Sequence, residues 1–240
     1  MINIAKKMAV CATLNLVITT GFASSIAVNP LSFFLTPSSR FNDIYVRNTG
    51  KSTAYVNITP YRILHPGRKQ QKLVKIDFKD PYKFGLLVSS DKLAIRKDGV
   101  RSVRVVALPD LKQTTDKVYE VKVMPDQGQW VTIKTQNKNL KAGINVVQGF
   151  AVMVVVRPLR PHPNIILQRH GKKLTIKNIG NSYARLYQAK QCIKGKCHQL
   201  KDAVFAMYAG LEKHYMLPQA APISFMQTLP QNKTKKIRSN

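Results

Sequence analysis

Cys192 and Cys197 stand in "QCIKGKCHQL" with four residues between them; Cys11 is the third cysteine. In an oxidising compartment this spacing predicts a local disulfide across a tight turn. The alternative is a zinc site, which needs four ligands, and only His198 lies near the two sulfurs. Acid–base chemistry finds little material. The carboxylates are Glu120, Glu212 and nine Asp scattered over turn-like positions, with no closely spaced pair. His65, His162, His170, His198 and His214 are dispersed, and neither a G-x-S-x-G elbow, an H-E-x-x-H helix nor a glycine-rich phosphate loop occurs. No catalytic residue, metal site or cofactor is therefore assigned, and an enzyme is not expected.

The chemistry that remains is that of binding. Residues 144–161 read "INVVQGFAVMVVVRPLRP", a long β-branched run that stops at Arg157-Pro158. It is too short to span a membrane. On one alternating face stand Ile144, Val146, Gln148, Phe150, Val152, Val154 and Val156; on the other stand Asn145, Val147, Gly149, Ala151, Met153 and Val155. The first face is the larger and more apolar. Gln148 interrupts it and marks a bulge or a polar contact.

Charge narrows the partners. The formal net charge is +28, a field that attracts anionic partners and speeds their encounter. Nucleic acid is not expected, because the chain carries no RNP signature, zinc-finger spacing or base-reading basic helix. Lys6 and Lys7, the apolar stretch Met8–Ala23, and small residues at Ser25 and Ala27 read as a secretory signal over residues 1–27. The expected mature chain begins near Val28 and is exported.

The elements that must position these residues are strands. "FNDIYVRN", "TAYVNITPYRIL", "QKLVKIDF", "LLVSS", "VRSVRVVAL", "KVYEVKVMP" and "WVTIK" are rich in Val, Ile, Tyr and Phe, and turn clusters such as His65-Pro66-Gly67 and Lys97-Asp98-Gly99 separate them. The pattern predicts an all-β, antiparallel sandwich. An internal echo predicts two. Residues 46–54 read "VRNTGKSTA" and residues 176–184 read "IKNIGNSYA", with Asn, Gly, Ser and Ala at the same offsets. The expected first domain is 28–157, the hinge 158–163 and the second domain 164–240 with a basic tail. Pro158, Pro161 and Pro163 stiffen the joint.

Several stretches, in this order, resemble the periplasmic chaperones of the chaperone–usher pilus pathway, in particular the class serving colonisation-factor and common-pilus fimbriae. They are "ILHPGRKQQKLVKIDF", "GLLVSSDKLAIRKDGVRSVRV", "VYEVKVMP", "AVMVVVRPLRP" and "LTIKNIGNSYARLYQAKQC". The resemblance implies two immunoglobulin-like domains joined at an angle by the hinge. It implies a periplasmic protein that lends a strand to pilus subunits lacking one of their own and passes them to an outer-membrane usher. The donor strand would be 144–157, with Ile144, Val146, Phe150 and Val152 entering the subunit and Val154 and Val156 facing the chaperone's own core. A homodimer capping its own donor strands is a further expectation.

The resemblance also implies a basic pair gripping the subunit's terminal carboxylate, and there the chain departs from the family. Met153 stands four positions before Arg157, where a Lys is usual, and the first strand, "VNPLSFFLTP", has no basic residue. Arg157 and Arg47 are the candidates left, either as anchor or as an interdomain ion pair. Two rival functions remain: a structural pilus protein or adhesin, and an envelope protein that binds an anionic polymer or lipid.

Overall fold

The computed structural model describes residues 26–126, 130–134, 141–145, 148–193, 196–230 and 233–239. The first lobe contains, in chain order, β1 (Ile26–Asn29), β2 (Ser32–Leu35), β3 (Phe41–Asn48), β4 (Ala54–Leu64), β5 (Lys72–Lys75), a one-turn helix α1 (Pro81–Phe84), β6 (Leu86–Val88), β7 (Lys92–Ile95), β8 (Val100–Ala107), β9 (Lys117–Pro125), β10 (Trp130–Lys134), β11 (Lys141–Asn145) and β12 (Phe150–Val156). The second contains β13 (Ile165–His170), β14 (Lys173–Asn178), β15 (Ala184–Ile193), β16 (Lys196–Leu200), β17 (Phe205–Met207), β18 (Glu212–Met216), β19 (Ile223–Thr228) and β20 (Thr234–Arg238).

Each lobe is a sandwich of two sheets. In the first, the order β1-β3-β8-β6 faces β2-β12-β9-β4-β5, with β7 beside β4. In the second, β13-β14-β18 faces β16-β15-β19-β20, with β17 beside β15. Alternation builds both cores. Along β4 the burial alternates from Ala54 to Pro60, and along β19 from Ile223 to Thr228, as a strand with one face in the core requires. Ile44, Val46, Ile58, Val103, Val121, Val152 and Val154 fill the first core, and Leu174, Ile176, Leu186, Met207 and Phe225 the second.

The echoed segments fold the same way. In each, a buried asparagine brackets the turn that leaves its strand. Asn48 Nδ2 donates to the carbonyls of Ser52 (2.7 Å) and Ile95 (2.9 Å), and its Oδ1 accepts from the Gly50 N–H (2.8 Å). Asn178 Nδ2 donates to the carbonyls of Ser182 (2.8 Å) and Met207 (2.9 Å), and its Oδ1 accepts from the Gly180 N–H (3.0 Å). The amide thus satisfies buried backbone groups at both ends.

One sequence expectation shifts. The opening stretch is two strands in different sheets. β1 pairs with β3, while β2 runs parallel to β12, Ser32 against Met153 through Leu35 against Val156. Ile26 is buried in the first core and pairs with Asn48, and Ala27 pairs with Arg47. Most of the expected secretory signal, residues 1–25, lies outside the described residues.

The lobes meet along the outer face of the six-stranded sheet. Ile63, Val118 and Val155 pack with Tyr183, and Leu73, Met153, Ala206 and Tyr208 join them. Asn181 ties the joint together. Its Nδ2 donates to the carbonyls of Thr114 (3.1 Å) and Arg160 (3.0 Å), and its Oδ1 accepts from the His162 N–H (2.7 Å).

Candidate functional site

The long apolar run is divided. β11 ends at Asn145 and β12 begins at Phe150, with Gln148 and Gly149 in neither strand. β11 pairs with β10, Ile144 opposite Val131, and among the described residues this two-stranded ribbon pairs with nothing else. Below it, Phe150, Ala151 and Val152 pair with Val123, Lys122 and Val121 of β9 on one flank. On the other flank β2 begins only at Met153. Among the described residues, the segments 141–145 and 150–152 therefore keep an unpaired sheet edge. Such an edge is a template for another strand, and a lone two-stranded ribbon is marginal in water.

Side chains on β12 follow the expected parity down to the hinge. Phe150 is half-buried against the first core, and Val152, Val154 and Val156 lie within it. Val152 is fully enclosed, which removes it from the residues expected to enter a partner: its face is already occupied by the lobe's own core. Ile144 lies in β11, and Val146 lies outside the described residues. On the opposite face Ala151 is exposed, Met153 is half-buried and Val155 belongs to the interdomain contact.

Beside the lower end of this edge the two lobes enclose a cleft of about 800 Å³. Phe34, Met153 and Tyr183 give it apolar walls, and Arg157, Arg185 and Lys233 give it three cations. Among the described residues no carboxylate lines it. Arg157 is 6% exposed, and its guanidinium lies 4.3 Å from the centre of the Phe34 ring. Its Nη1 is buried without a hydrogen-bond partner, as is Asp116 Oδ1. Burial depresses the Arg157 pKa, and the charge of Asp116 works against that shift. Burial likewise raises the Asp116 carboxyl to about 6, against the hydrogen bond from the Tyr183 N–H and the charge of Arg157. The two charges feel each other at the hinge end of the first lobe without forming an ion pair. Arg157 thus borders the cleft with one guanidinium nitrogen left unpaired.

Arg47, the other expected anchor, lies elsewhere. It is exposed near the end of β3, paired through its backbone with Ala27 and Val100 of the opposite sheet. It does not line the cleft. Its strand alternates, and Arg47 falls on the outward face while Ile44 and Val46 point to the core.

The disulfide is present. Cys192 and Cys197 are directly opposed on β15 and β16, bridged with a Cα separation of 4.0 Å. Several site residues escaped sequence reasoning. The Phe34 and Tyr183 rings meet tilted, centroids 5.8 Å apart, as do Tyr183 and Tyr208 at 5.3 Å, and the Tyr208 hydroxyl donates to Met153 Sδ (3.2 Å). Burial pushes the Tyr208 hydroxyl pKa up to about 12. These contacts join residues far apart in the chain, and only the register of β2 on β12 brings Phe34 over Arg157.

No family model matches the chain. One curated relative, a CS1 fimbrial protein of Escherichia coli, is 26% identical over 153 residues; the match spans 63% of this chain and 62% of that protein's length. Solved structures extend the likeness. The structure of the class 5 fimbriae chaperone CfaA superimposes with a TM-score of 0.62 at 17% identity, covering 90% of this chain and 99% of that one. A chain from a chaperone–tip adhesin complex of CFA/I fimbriae biogenesis gives 0.60 at 16%, with coverage of 90% and 99%. A chain from the CsuC–CsuE pre-assembly complex of Acinetobacter baumannii, a chaperone with a tip adhesion protein, gives 0.59 at 14%, with coverage of 90% and 98%. The chain shares the two-lobed sandwich of these proteins over nearly its whole described length.

Proposed function

We propose that the chain is a periplasmic chaperone for pilus subunits, acting by donor-strand complementation and handing its cargo to an outer-membrane usher. The observation that carries this reading is the unpaired edge of β11 and Phe150–Val152, running down to an acid-free, cation-lined cleft. Backbone groups on the edge would complete a subunit's open sheet, and apolar side chains above the chaperone's own core would fill its groove. Parity assigns Ile144, Val146 and Phe150 to the groove. Each is worth roughly 1.5–3 kcal/mol when fully buried, before ordering costs. Val152 anchors the strand at home.

Arg157 is the proposed grip on the subunit's terminal carboxylate. Its buried Nη1 lacks a partner, Phe34 holds the guanidinium plane, and Arg185 and Lys233 add charge from the second lobe. A carboxylate there would supply the missing charge-assisted hydrogen bond. The grip and the edge together orient the guest without covalent chemistry.

The test is co-expression with candidate pilus subunits. Ile144→Glu with Phe150→Glu is expected to abolish recovery of soluble pilin from the periplasm while the chaperone itself stays folded. Undiminished recovery would sink the donor assignment. Arg157→Ala should lower recovery of pilins with a free carboxyl end, and removing the pilin's last residues should mask the difference.

A further inference from the structure

The net positive charge is not spread evenly over the second lobe. The strands of its five-stranded sheet read "ARLYQAKQCI", "KCHQL", "FAM", "ISFMQT" and "TKKIR", and none contains Asp or Glu. The inner face is apolar, with Leu186, Ala189, Ile223 and Phe225 in the core. The outer face is arranged in three rows across β15, β19 and β20. The row next to the cleft carries Arg185, whose N–H donates to Thr228 Oγ1 (2.8 Å), and Thr234 opposite Thr228. The second row is Tyr187, Met226 and Lys236. A bulge between Tyr187 and Lys190 then delivers Lys190 beside Ser224 and Arg238 in the third. Arg185, Lys190, Lys236 and Arg238 are exposed, while Tyr187 and Met226 are half-buried between them.

We propose that this face is a docking surface for an extended, acidic segment of a protein partner. Three geometric facts select that occupant. Successive rows lie two residues apart along β19 and β20, roughly 6.7 Å, which is the repeat of alternate side chains in an extended chain, and the bulge in β15 brings Lys190 into the same register. Every row offers at least one cation and no carboxylate, so a strand with an acidic residue at every second position meets a complementary charge at each step. Arg185 and Lys233 also line the interdomain cleft. The surface therefore runs into a recess that a single chain can follow and a lipid headgroup plane cannot. Among the described residues β20 pairs only with β19, which leaves backbone groups available beside the face. This surface lies on the second lobe and does not depend on the donor-strand reading.

The probe is a synthetic alternating Glu–Thr peptide of about ten residues, titrated against the full chain at low and at physiological salt. Lys190→Glu with Lys236→Glu is expected to weaken binding by on the order of tenfold or more and to flatten its salt dependence. Lys190→Gln with Lys236→Gln should fall between that variant and the native chain. The control, Lys69→Glu with Lys97→Glu, changes net charge equally on exposed residues of the first lobe and should leave binding nearly unchanged. An equal loss in the control, or no peptide binding by the native chain, would overturn the proposal. Retention on phosphatidylglycerol vesicles that is lost with Lys190→Glu and Lys236→Glu, at peptide affinity unaltered by them, would overturn it in favour of a membrane surface. The donor-strand variants of the preceding section should bind the peptide as the native chain does, so the two ideas fail separately.

Discussion

Asp116 and Arg157 approach the hinge from β9 and β12 and stay apart, each with one polar atom buried and unpaired. Burial, the dominant cause, holds the Asp116 pKa at about 6 instead of 3.8. A carboxyl raised in the folded state stabilises the fold fully below the unfolded value of about 4, and that contribution is lost as pH rises through about 6. The shift is worth up to about 3 kcal/mol. Thermal unfolding of the native chain should therefore show a stability contribution that declines between about pH 4 and pH 7. Asp116→Asn, which keeps an acceptor for the Tyr183 N–H, should remove that decline; an unchanged pH profile in the variant would contradict the assignment. The bracket asparagines predict a different signature. Asn48→Ala or Asn178→Ala strands two backbone carbonyls, at a cost of roughly 2–4 kcal/mol each. Calorimetry should show the first lowering the transition of the first lobe and the second that of the other.

At the scale of elements, the disulfide closes a hairpin between β15 and β16. So short a loop gives about 2 kcal/mol in the chain-entropy model. Cys192→Ser with Cys197→Ser should lower the second lobe's unfolding free energy by that amount and leave the first lobe's transition in place, as chemical denaturation followed by intrinsic fluorescence would report. Elements of this kind were legible in the sequence. β3, β9 and β10 occupy "FNDIYVRN", "KVYEVKVMP" and "WVTIK" to the residue, because alternation and turn residues are local signals. The Asn-Gly echo was legible for the same reason, although the burial of Asn48 and Asn178 was not. What stayed hidden depends on partners distant in the chain. The parallel pairing of β2 with β12 could not be read from "VNPLSFFLTP", and with it the place of Phe34 over Arg157 was lost. Parity put Val152 on the same face as Ile144 and Phe150, but where the lobe's own core ends along that face is a property of the packed sheet, not of the strand. Arg47 looked suitable by residue type alone; strand direction carries it away from the hinge.

Across the whole molecule, Asn181 holds the end of the hinge at Arg160 and His162 and the segment before β9 at Thr114. Asn181→Ala is expected to loosen the arrangement of the lobes without unfolding either, visible as a larger radius of gyration in small-angle scattering with unchanged far-UV circular dichroism. A constant radius would assign the joint's stiffness to the Phe34–Tyr183 and Tyr208–Met153 contacts instead. The chain's excess of cations has a second effect at this scale. Copies of a protein with an open sheet edge repel one another, which disfavours pairing between edges. One last consequence belongs to the twin asparagine clamps. Because each secures its bend with its own amide and a single carbonyl from across the lobe, the nine residues 46–54 and 176–184 form interchangeable cassettes. Transplanting one into the other's seat, with the inward apolar positions kept native, should yield a chain that still folds with both lobes intact.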